Sequence, residues 1–278
     1  MILLDGVYYS DINKAPNHVI FSLINNPSVD QVLRFEDLNL IFWEDHYFEL
    51  MSLMRISRMD IPIDFTPEKL SNLIINFIKK FYKNEFSFLI FIKIVKSSEV
   101  IKKLIFPKSH FLIEVKKVKP IYHYKNKHTI DVYNDFKLCD NPLNNNKFSS
   151  SIISLAKVFA FENDFDDSVI LDNKKTIVQT SLGYIFLING NEINTPALNK
   201  GFFNNVFYQK LINSIKNNNK FNCMEKDISP FEIQQADEVF IVNIIFGIQS
   251  VSSFKKKNYN TNKTIEIFNQ FKSYIKEP

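Results

Sequence analysis

Residues 147–201 are the part of the chain whose residue types and order are most informative about chemistry. Lys147 precedes a short helical pattern with apolar residues on one side. An apolar strand, a polar turn at 173–175 and a second strand that ends in a Gly turn at Gly190 follow it. This order indicates a single structural unit with a lysine amine just ahead of a helix.

The other residue types that commonly do chemistry are dispersed. Cys139 and Cys223 stand far apart, without a second Cys or His at metal-ligand spacing, and are typical of isolated thiols in a reducing compartment. His46 lies on a predicted helix, where a structural role is the simpler interpretation. The sequence shows no partner for the other histidines, which are His18, His110, His123 and His128. We therefore predict no metal site.

The composition provides enough apolar residues for a sizeable core. Of 278 residues, 45% are hydrophobic and 23% are charged, which favours one large or two modest domains over disorder. The formal net charge of +4 comes from scattered lysines, which predicts solvated faces rather than a nucleic-acid-binding surface. No apolar run is long enough to span a membrane and no signal-peptide pattern is present. We expect a cytoplasmic protein without nucleic-acid or membrane partners.

The first half of the chain alternates strand and helix patterns. Thr66, followed by Pro67 and Glu68, is a strong helix start, because the hydroxyl caps the helix and proline suits its first turn. Another helix is predicted at 44–59, after a hairpin formed by 32–35 and 38–43. Strands are predicted at 2–9, 19–24, 86–95, 111–118 and 128–136. These elements predict a smaller α+β domain over residues 1–137, and the Asn-rich run at 138–146 predicts a linker.

Residues 147–278 are predicted to form a larger second domain. Ser229 and Glu232 flank Pro230 and Phe231 as a capping box, which predicts a helix start. A buried strand is predicted at 238–244 and a last helix at 264–275. The fold class predicted for the whole chain is α+β with two domains.

With these elements placed, three local patterns stand out along the chain. Early in the chain, Arg34 and the run from His46 to Leu50 match an arginine followed by the helix pattern HLxRLxxSA. Centrally, residues 166–172, 185–186 and 195–198 match D-x-x-L-L-D … E-x-x-x-x-N-x-F … T-P-x-L, with Tyr184 in place of the Asn. Late in the chain, residues 235–251 match ADEVF followed by G-I-x-P-V. In this order, along nearly the whole chain, the patterns resemble those of the fold-type IV pyridoxal-phosphate enzymes, the class IV aminotransferase family.

The resemblance implies a fold like that of D-amino-acid aminotransferase, with pyridoxal 5'-phosphate between the two domains and usually a homodimer. It also implies amino-group transfer, or an elimination like that of aminodeoxychorismate lyase, on a small amino-acid-like substrate. This chemistry needs a lysine that forms a Schiff base and moves a proton at the substrate Cα.

Lys147 is the catalytic lysine that the resemblance suggests. Without a gap, the family's lysine falls on Asn145 or Asn146, and a bulge or a one-residue deletion would bring Lys147 into register. The alternative is a solvated lysine at a helix start. Lys157, inside the helix, is a weaker candidate.

The resemblance also assigns cofactor-binding positions. Gln179 occupies the place of the family's glutamate opposite the pyridine nitrogen, where it brings no charge. Arg34 stands where we expect the phosphate-binding arginine, with a surface salt bridge as the alternative. Val206 and Phe207 can offer backbone N–H groups at a helix start, although the arginine of the pattern G-I-x-R is Tyr208 here. The remaining pair, Ile244 and Ile245, stands in place of small or hydroxyl residues.

Two hypotheses follow from these matches and departures. The first is a pyridoxal-phosphate-dependent aminotransferase or lyase that uses Lys147. The second is a catalytically inactive homologue that keeps the fold and the dimer without the cofactor.

Overall fold

The structure is a computed structural model that describes residues 1–82, 87–97, 109–124, 127–138, 150–197, 206–218 and 220–276. The chain forms two compact units, Met1–Pro120 and Ile121–Pro278. None of the helices in these described ranges is long and apolar enough to cross a membrane.

The first unit is built on one antiparallel sheet of six strands. Its strands are β1 (Ile2–Leu4), β2 (Val7–Tyr9), β3 (Ser28–Glu36), β4 (Asn39–Leu40), β5 (Ser87–Lys96) and β6 (Ser109–Lys117). They lie in the order β2-β1-β6-β5-β3-β4. The long central pairings run from Ser28 opposite Val95 to Glu36 opposite Ser87, so alternate residues of β3 face opposite sides of the sheet.

The described residues of this unit also form one turn of 3-10 helix, Ile12–Lys14, and three α-helices: α1 (Asn17–Asn25), α2 (Trp43–Ile56) and α3 (Pro67–Phe81). Thr66 caps α3 as predicted, since its Oγ1 accepts a hydrogen bond from the Lys69 N–H at 3.2 Å. The helix predicted at 44–59 ends earlier, because Arg58 adopts a left-handed φ of 54° and the Met59 N–H turns back to the Met54 carbonyl. Apolar residues of α2 and α3 pack with β3 and β5 in one core.

The described residues of the second unit form two sheets. Its strands are β7 (Tyr122–Tyr124), β8 (Thr129–Leu138), β9 (Asp167–Asp172), β10 (Ile177–Thr180), β11 (Tyr184–Asn189), β12 (Glu192–Pro196), β13 (Asn222–Lys226), β14 (Glu238–Asn243), β15 (Gly247–Ser250), β16 (Ser253–Phe254) and β17 (Lys257–Asn258). The first sheet has the order β10-β9-β8-β16-β17 and the second β13-β12-β11-β14-β15-β7. Strands β7 and β8 begin within residues 1–137, the predicted first domain, but they hydrogen-bond to strands of the second unit.

The helices of the second unit are α4 (Ser150–Glu162), α5 (Val206–Asn217), α6 (Pro230–Gln235) and α7 (Asn262–Lys276). The capping box predicted for α6 is present, with reciprocal hydrogen bonds between Ser229 and Glu232. Glu238 of β14 accepts bonds from the Lys263 and Thr264 N–H groups at 2.9 Å, which ties the start of α7 to the sheet. Buried residues of β9, β11 and β14 form the main core of this unit.

Candidate functional site

Gln179 lies where β10 departs from regular pairing with β9. Ile177 pairs with Leu171 and Gln179 pairs with Ile170, so Val178 is an extra residue in β10. A bulge of this kind changes the direction of the neighbouring side chains. Gln179 is 7% exposed, and its amide nitrogen donates no hydrogen bond to any described residue. Within the described residues this amide nitrogen is unused, and the side chain is neutral.

Asp167 holds the turn that follows Gln179. Its carboxylate is completely buried, and Oδ1 accepts hydrogen bonds from Ser181 Oγ at 2.5 Å and from the Ser168 N–H at 2.7 Å. Burial raises the pKa of Asp167 to about 6, and the hydrogen bond from Ser181 opposes that rise. These contacts indicate that Asp167, the first acid of the D-x-x-L-L-D pattern, has a structural role.

Asp172, at the other end of the same pattern, also binds the backbone. Its Oδ1 accepts from the N–H groups of Lys174 and Thr176 at 2.9 and 2.8 Å, and its Oδ2 accepts from the Thr176 hydroxyl. These bonds close the polar turn between β9 and β10. The pattern therefore fixes the frame around Gln179 through Oδ1 of Asp167 and both carboxylate oxygens of Asp172.

Tyr208 stands at the arginine position of the G-I-x-R pattern and is completely buried. Its hydroxyl donates to the Pro196 carbonyl oxygen at 3.0 Å and lies 3.2 Å from Thr195 Oγ1. Its ring packs against that of Tyr184 at a centroid distance of 4.5 Å, with the ring planes inclined by 34°. Burial raises the pKa of Tyr208 above its usual value, so the hydroxyl stays neutral. The position carries a core contact rather than a cation.

Val206 and Phe207 open helix α5, and both side chains are buried. The Phe207 ring packs edge-on against Phe271 of α7 at 5.0 Å. Backbone N–H groups in the first turn of a helix have no acceptor within the helix. Their proposed role as phosphate donors stays a prediction.

Ile244 and Ile245 follow β14 in a turn that Asn243 closes. The Ile245 N–H donates to Asn243 Oδ1 at 2.7 Å, and Asn243 Nδ2 donates to the Leu182 carbonyl. Ile244 is buried, whereas Ile245 is 47% exposed. The backbone donor at Ile245 is therefore already used inside the turn.

Arg34 lies on β3 of the first unit and is completely buried. Its Nε donates to Glu36 Oε2 at 2.9 Å, and a terminal nitrogen donates to the Lys119 carbonyl. The ion pair that the sequence left open as an alternative is present, although Arg34 is buried rather than at the surface. A phosphate role for Arg34 stays a prediction, and these contacts already neutralise its charge within the first unit.

Glu49 of α2 is a polar residue that the sequence interpretation overlooked. In the pattern HLxRL it takes the place of the arginine, between His46 and Leu50. Gln31 of β3 bridges the cluster: its Nε2 donates to Glu49 Oε2 at 2.5 Å and lies 2.9 Å from His46 Nδ1. Burial raises the pKa of Glu49 to about 7, against the lowering effect of the Gln31 bond. The feature of the sequence that indicates this residue is its departure from the quoted pattern, an acid in place of a base.

Lys147, Asn145 and Asn146 lie outside the described residues, as does most of the predicted linker at 138–146. The catalytic role of Lys147 accordingly stays a prediction. Lys157, the weaker candidate, is exposed on α4.

Comparison with known proteins identifies the family. The family described as "Amino-transferase class IV" matches residues 31–254, well over half of the chain. This chain belongs to the class IV aminotransferase family. Over 96 residues the class IV chain is 33% identical to the mitochondrial branched-chain amino acid aminotransferase 1 of Humulus lupulus, a match that covers 34% of this chain and 24% of the hop protein. The match spans about a quarter of that relative's length.

Solved structures show that the class IV chain has the fold-type IV fold, which confirms the predicted fold class. The branched-chain aminotransferase of Thermoproteus uzoniensis with norvaline superposes with a TM-score of 0.82 at 19% identity, covering 99% of this chain and 94% of that one. The Escherichia coli branched-chain aminotransferase gives 0.83 at 17% identity, covering 98% and 93%. A putative 4-amino-4-deoxychorismate lyase from Legionella pneumophila gives 0.75 at 21% identity, covering 90% and 92%.

The described residues of this class IV chain do not fit pyridoxal phosphate in the way the family patterns hold it. A protonated ring nitrogen needs an anionic partner, and Gln179 is neutral. A phosphate needs free cations and N–H donors. Arg34 is buried against Glu36, the G-I-x-R arginine is Tyr208, and the Ile245 N–H is bonded to Asn243.

Proposed function

We propose that this class IV aminotransferase-family protein keeps the family fold without performing cofactor-dependent amino-group chemistry, and that it acts as a binding or structural protein. One observation carries the proposal. Among the described residues assigned to the phosphate, the one cation is Arg34, and its side chain has 0% exposure. A guanidinium bonded to Glu36 and to the Lys119 carbonyl has no surface left for an anion.

The neutral Gln179 supports the same proposal from the other end of the cofactor. A hydrogen bond to a charged group contributes about 1.5–3 kcal/mol. Replacing a carboxylate by an amide forgoes that contribution at the ring nitrogen. Without it, the ring is a weaker acceptor of the electrons released at a substrate Cα, which amino-group transfer requires.

The second candidate is amino-group transfer, or elimination of the aminodeoxychorismate-lyase type, on a small amino acid. One observation favours it: the Gln179 amide nitrogen donates no hydrogen bond to a described residue, so it is free to donate to an unprotonated ring nitrogen. This candidate requires the Lys147 amine to reach a bound aldehyde.

The two candidates are separated by reduction with borohydride. The purified full chain is incubated with pyridoxal phosphate, reduced, digested and mapped by mass spectrometry, in parallel with Lys147→Ala. The proposal expects low labelling spread over exposed lysines, the same in both proteins, and no turnover of an amino donor such as norvaline.

A stoichiometric adduct on Lys147 that disappears in Lys147→Ala would refute the inactive assignment. Lys157→Ala is the matched control, since Lys157 is an exposed lysine of the neighbouring helix. The protein would then be assigned as a pyridoxal-phosphate enzyme whose ring nitrogen has a neutral partner.

A further inference from the structure

Two histidines of the first unit approach each other beside a carboxylate. His110 lies on β6 and is 6% exposed, whereas His18 lies in the first turn of α1 and is exposed. Their ring centroids are 5.9 Å apart, with the ring planes inclined by 56°. The residues are 92 positions apart in the sequence, so the fold alone brings them together.

Asp5 fixes the orientation of the His110 ring. Its Oδ2 lies 2.6 Å from His110 Nδ1, and its Oδ1 accepts from the Phe111 N–H at 2.9 Å. The Asp5 N–H donates back to the Phe111 carbonyl. Because Nδ1 is bound to the carboxylate, the lone pair of a neutral ring lies on Nε2.

His110 Nε2 is buried and has no hydrogen-bond partner among the described residues. A buried polar atom without a partner is costly and calls for an explanation. The carboxylate on Nδ1, with the other nitrogen free, is the arrangement that surrounds metal-bound histidines.

The spacing of the two rings suits a shared ion. An ion held at about 2.1 Å by one nitrogen of each imidazole places the ring centroids roughly 5 to 6 Å apart. We propose that His18 and His110 form a two-histidine site for a divalent transition-metal ion such as Cu²⁺ or Zn²⁺, with Asp5 as the carboxylate that orients His110. The site lies wholly within the first unit and is independent of the proposed function.

The coordination is completed by water. No group of three His, Cys, Asp or Glu side chains in the described parts of the chain converges on one point, so the protein supplies two nitrogen ligands. Cu²⁺ is the most sensitive probe, because nitrogen sites bind it more tightly than the other divalent metals of its row.

The test titrates the full chain, without an affinity tag, with Cu²⁺ and follows the nitrogen couplings by electron paramagnetic resonance. We expect one ion per chain with couplings from two imidazoles. His18→Ala removes one coupling and most of the affinity. Asp5→Asn keeps an oxygen for the Phe111 N–H and weakens binding about 10–100-fold, the usual effect of losing such a carboxylate.

His123→Ala, a histidine of β7 in the second unit, is the matched control and binds like the wild type. Thermal unfolding of each variant without metal checks that the fold is intact, which His18→Ala should preserve because His18 is exposed. The proposal is overturned if His18→Ala and Asp5→Asn bind Cu²⁺ like the wild type. It is equally overturned if the wild type shows a single nitrogen coupling or no saturable binding.

Discussion

The two units each bury a carboxyl group, and the two groups differ in what they hold. Asp167, in the second unit, accepts bonds from Ser181 and from the Ser168 backbone, and it secures the turn after β10. Glu49, in the first unit, accepts a bond from the Gln31 side chain, and no described backbone N–H group donates to it. Burial raises the pKa of both, to about 6 for Asp167 and about 7 for Glu49.

Acids that bind backbone N–H groups agree with the family pattern, whereas two polar positions that do not bind such groups depart from the pattern. Asp167 agrees with the family pattern, as do Asp172 and Glu238, and all three bind backbone N–H groups. Glu49 departs from the pattern, as does Tyr208, and neither position offers a cation. The chain matches the quoted family patterns at acids that bind backbone N–H groups and departs from them at Glu49 and Tyr208.

Removing the carboxylate that holds the turn has the largest expected effect. Asp167→Ala leaves Ser181 and the Ser168 N–H without an acceptor in a buried site, which costs about 3 kcal/mol of unfolding free energy. Urea unfolding measures this cost. Ser181→Ala is the control and loses about 1–2 kcal/mol, since the backbone bond remains. A loss below 1 kcal/mol for Asp167→Ala would show that the turn does not depend on this acid.

Glu49→Gln has the next largest effect, and it depends on pH. The carboxyl binds its proton more tightly in the folded chain, with a pKa of about 7 against 4.5. The contribution of protonated Glu49 to the unfolding free energy is therefore fully present below pH 4.5 and is lost as the pH rises through 7. Above that pH the variant should be more stable than the wild type by about 2 kcal/mol. The two proteins should be equally stable near pH 4.5.

Asp167 is an internal reference in this experiment, because the Glu49→Gln variant retains it. The stability that protonated Asp167 contributes is lost as the pH rises from its ordinary pKa of 3.8 to about 6. The unfolding free energy of the Glu49→Gln variant should therefore stop changing with pH near pH 6. Parallel stability curves for Glu49→Gln and the wild type across pH 5–8 would contradict the assignment of the higher transition to Glu49.

Tyr208→Phe has the smallest expected effect. The change removes the hydrogen bond to the Pro196 carbonyl and leaves the ring packing intact, so about 1 kcal/mol of stability is lost. Uptake of pyridoxal phosphate should not change. A change in uptake would place the Tyr208 hydroxyl in a ligand site rather than in the core.

Much of the frame was readable from the sequence because its signals are local. The cap at Thr66 and the capping box at Ser229 depend on residues within one turn, and both are present. The strand predicted at 19–24 is wrong, since the segment lies within α1. Its buried residues Val19 and Leu23 are four apart, a helical spacing that a short apolar run cannot distinguish from a strand.

The environment of the candidate site was not readable, because its contacts are made across long stretches of sequence. Arg34 meets the Lys119 carbonyl 85 residues away, and Gln31 meets Glu49 from a different element. The bulge at Val178 arises from the pairing of β10 with β9, and no residue pattern in the sequence predicts it. The sequence identifies Gln179 as a departure from the pattern, but it does not show that the amide is buried and donates to no described residue.

Equilibrium dialysis of the full chain against pyridoxal phosphate tests the central claim most directly. We predict no saturable uptake and no visible absorption band that borohydride removes, in the wild type and in Lys147→Ala alike. Saturable uptake of one cofactor per chain, abolished by Lys147→Ala, would contradict it.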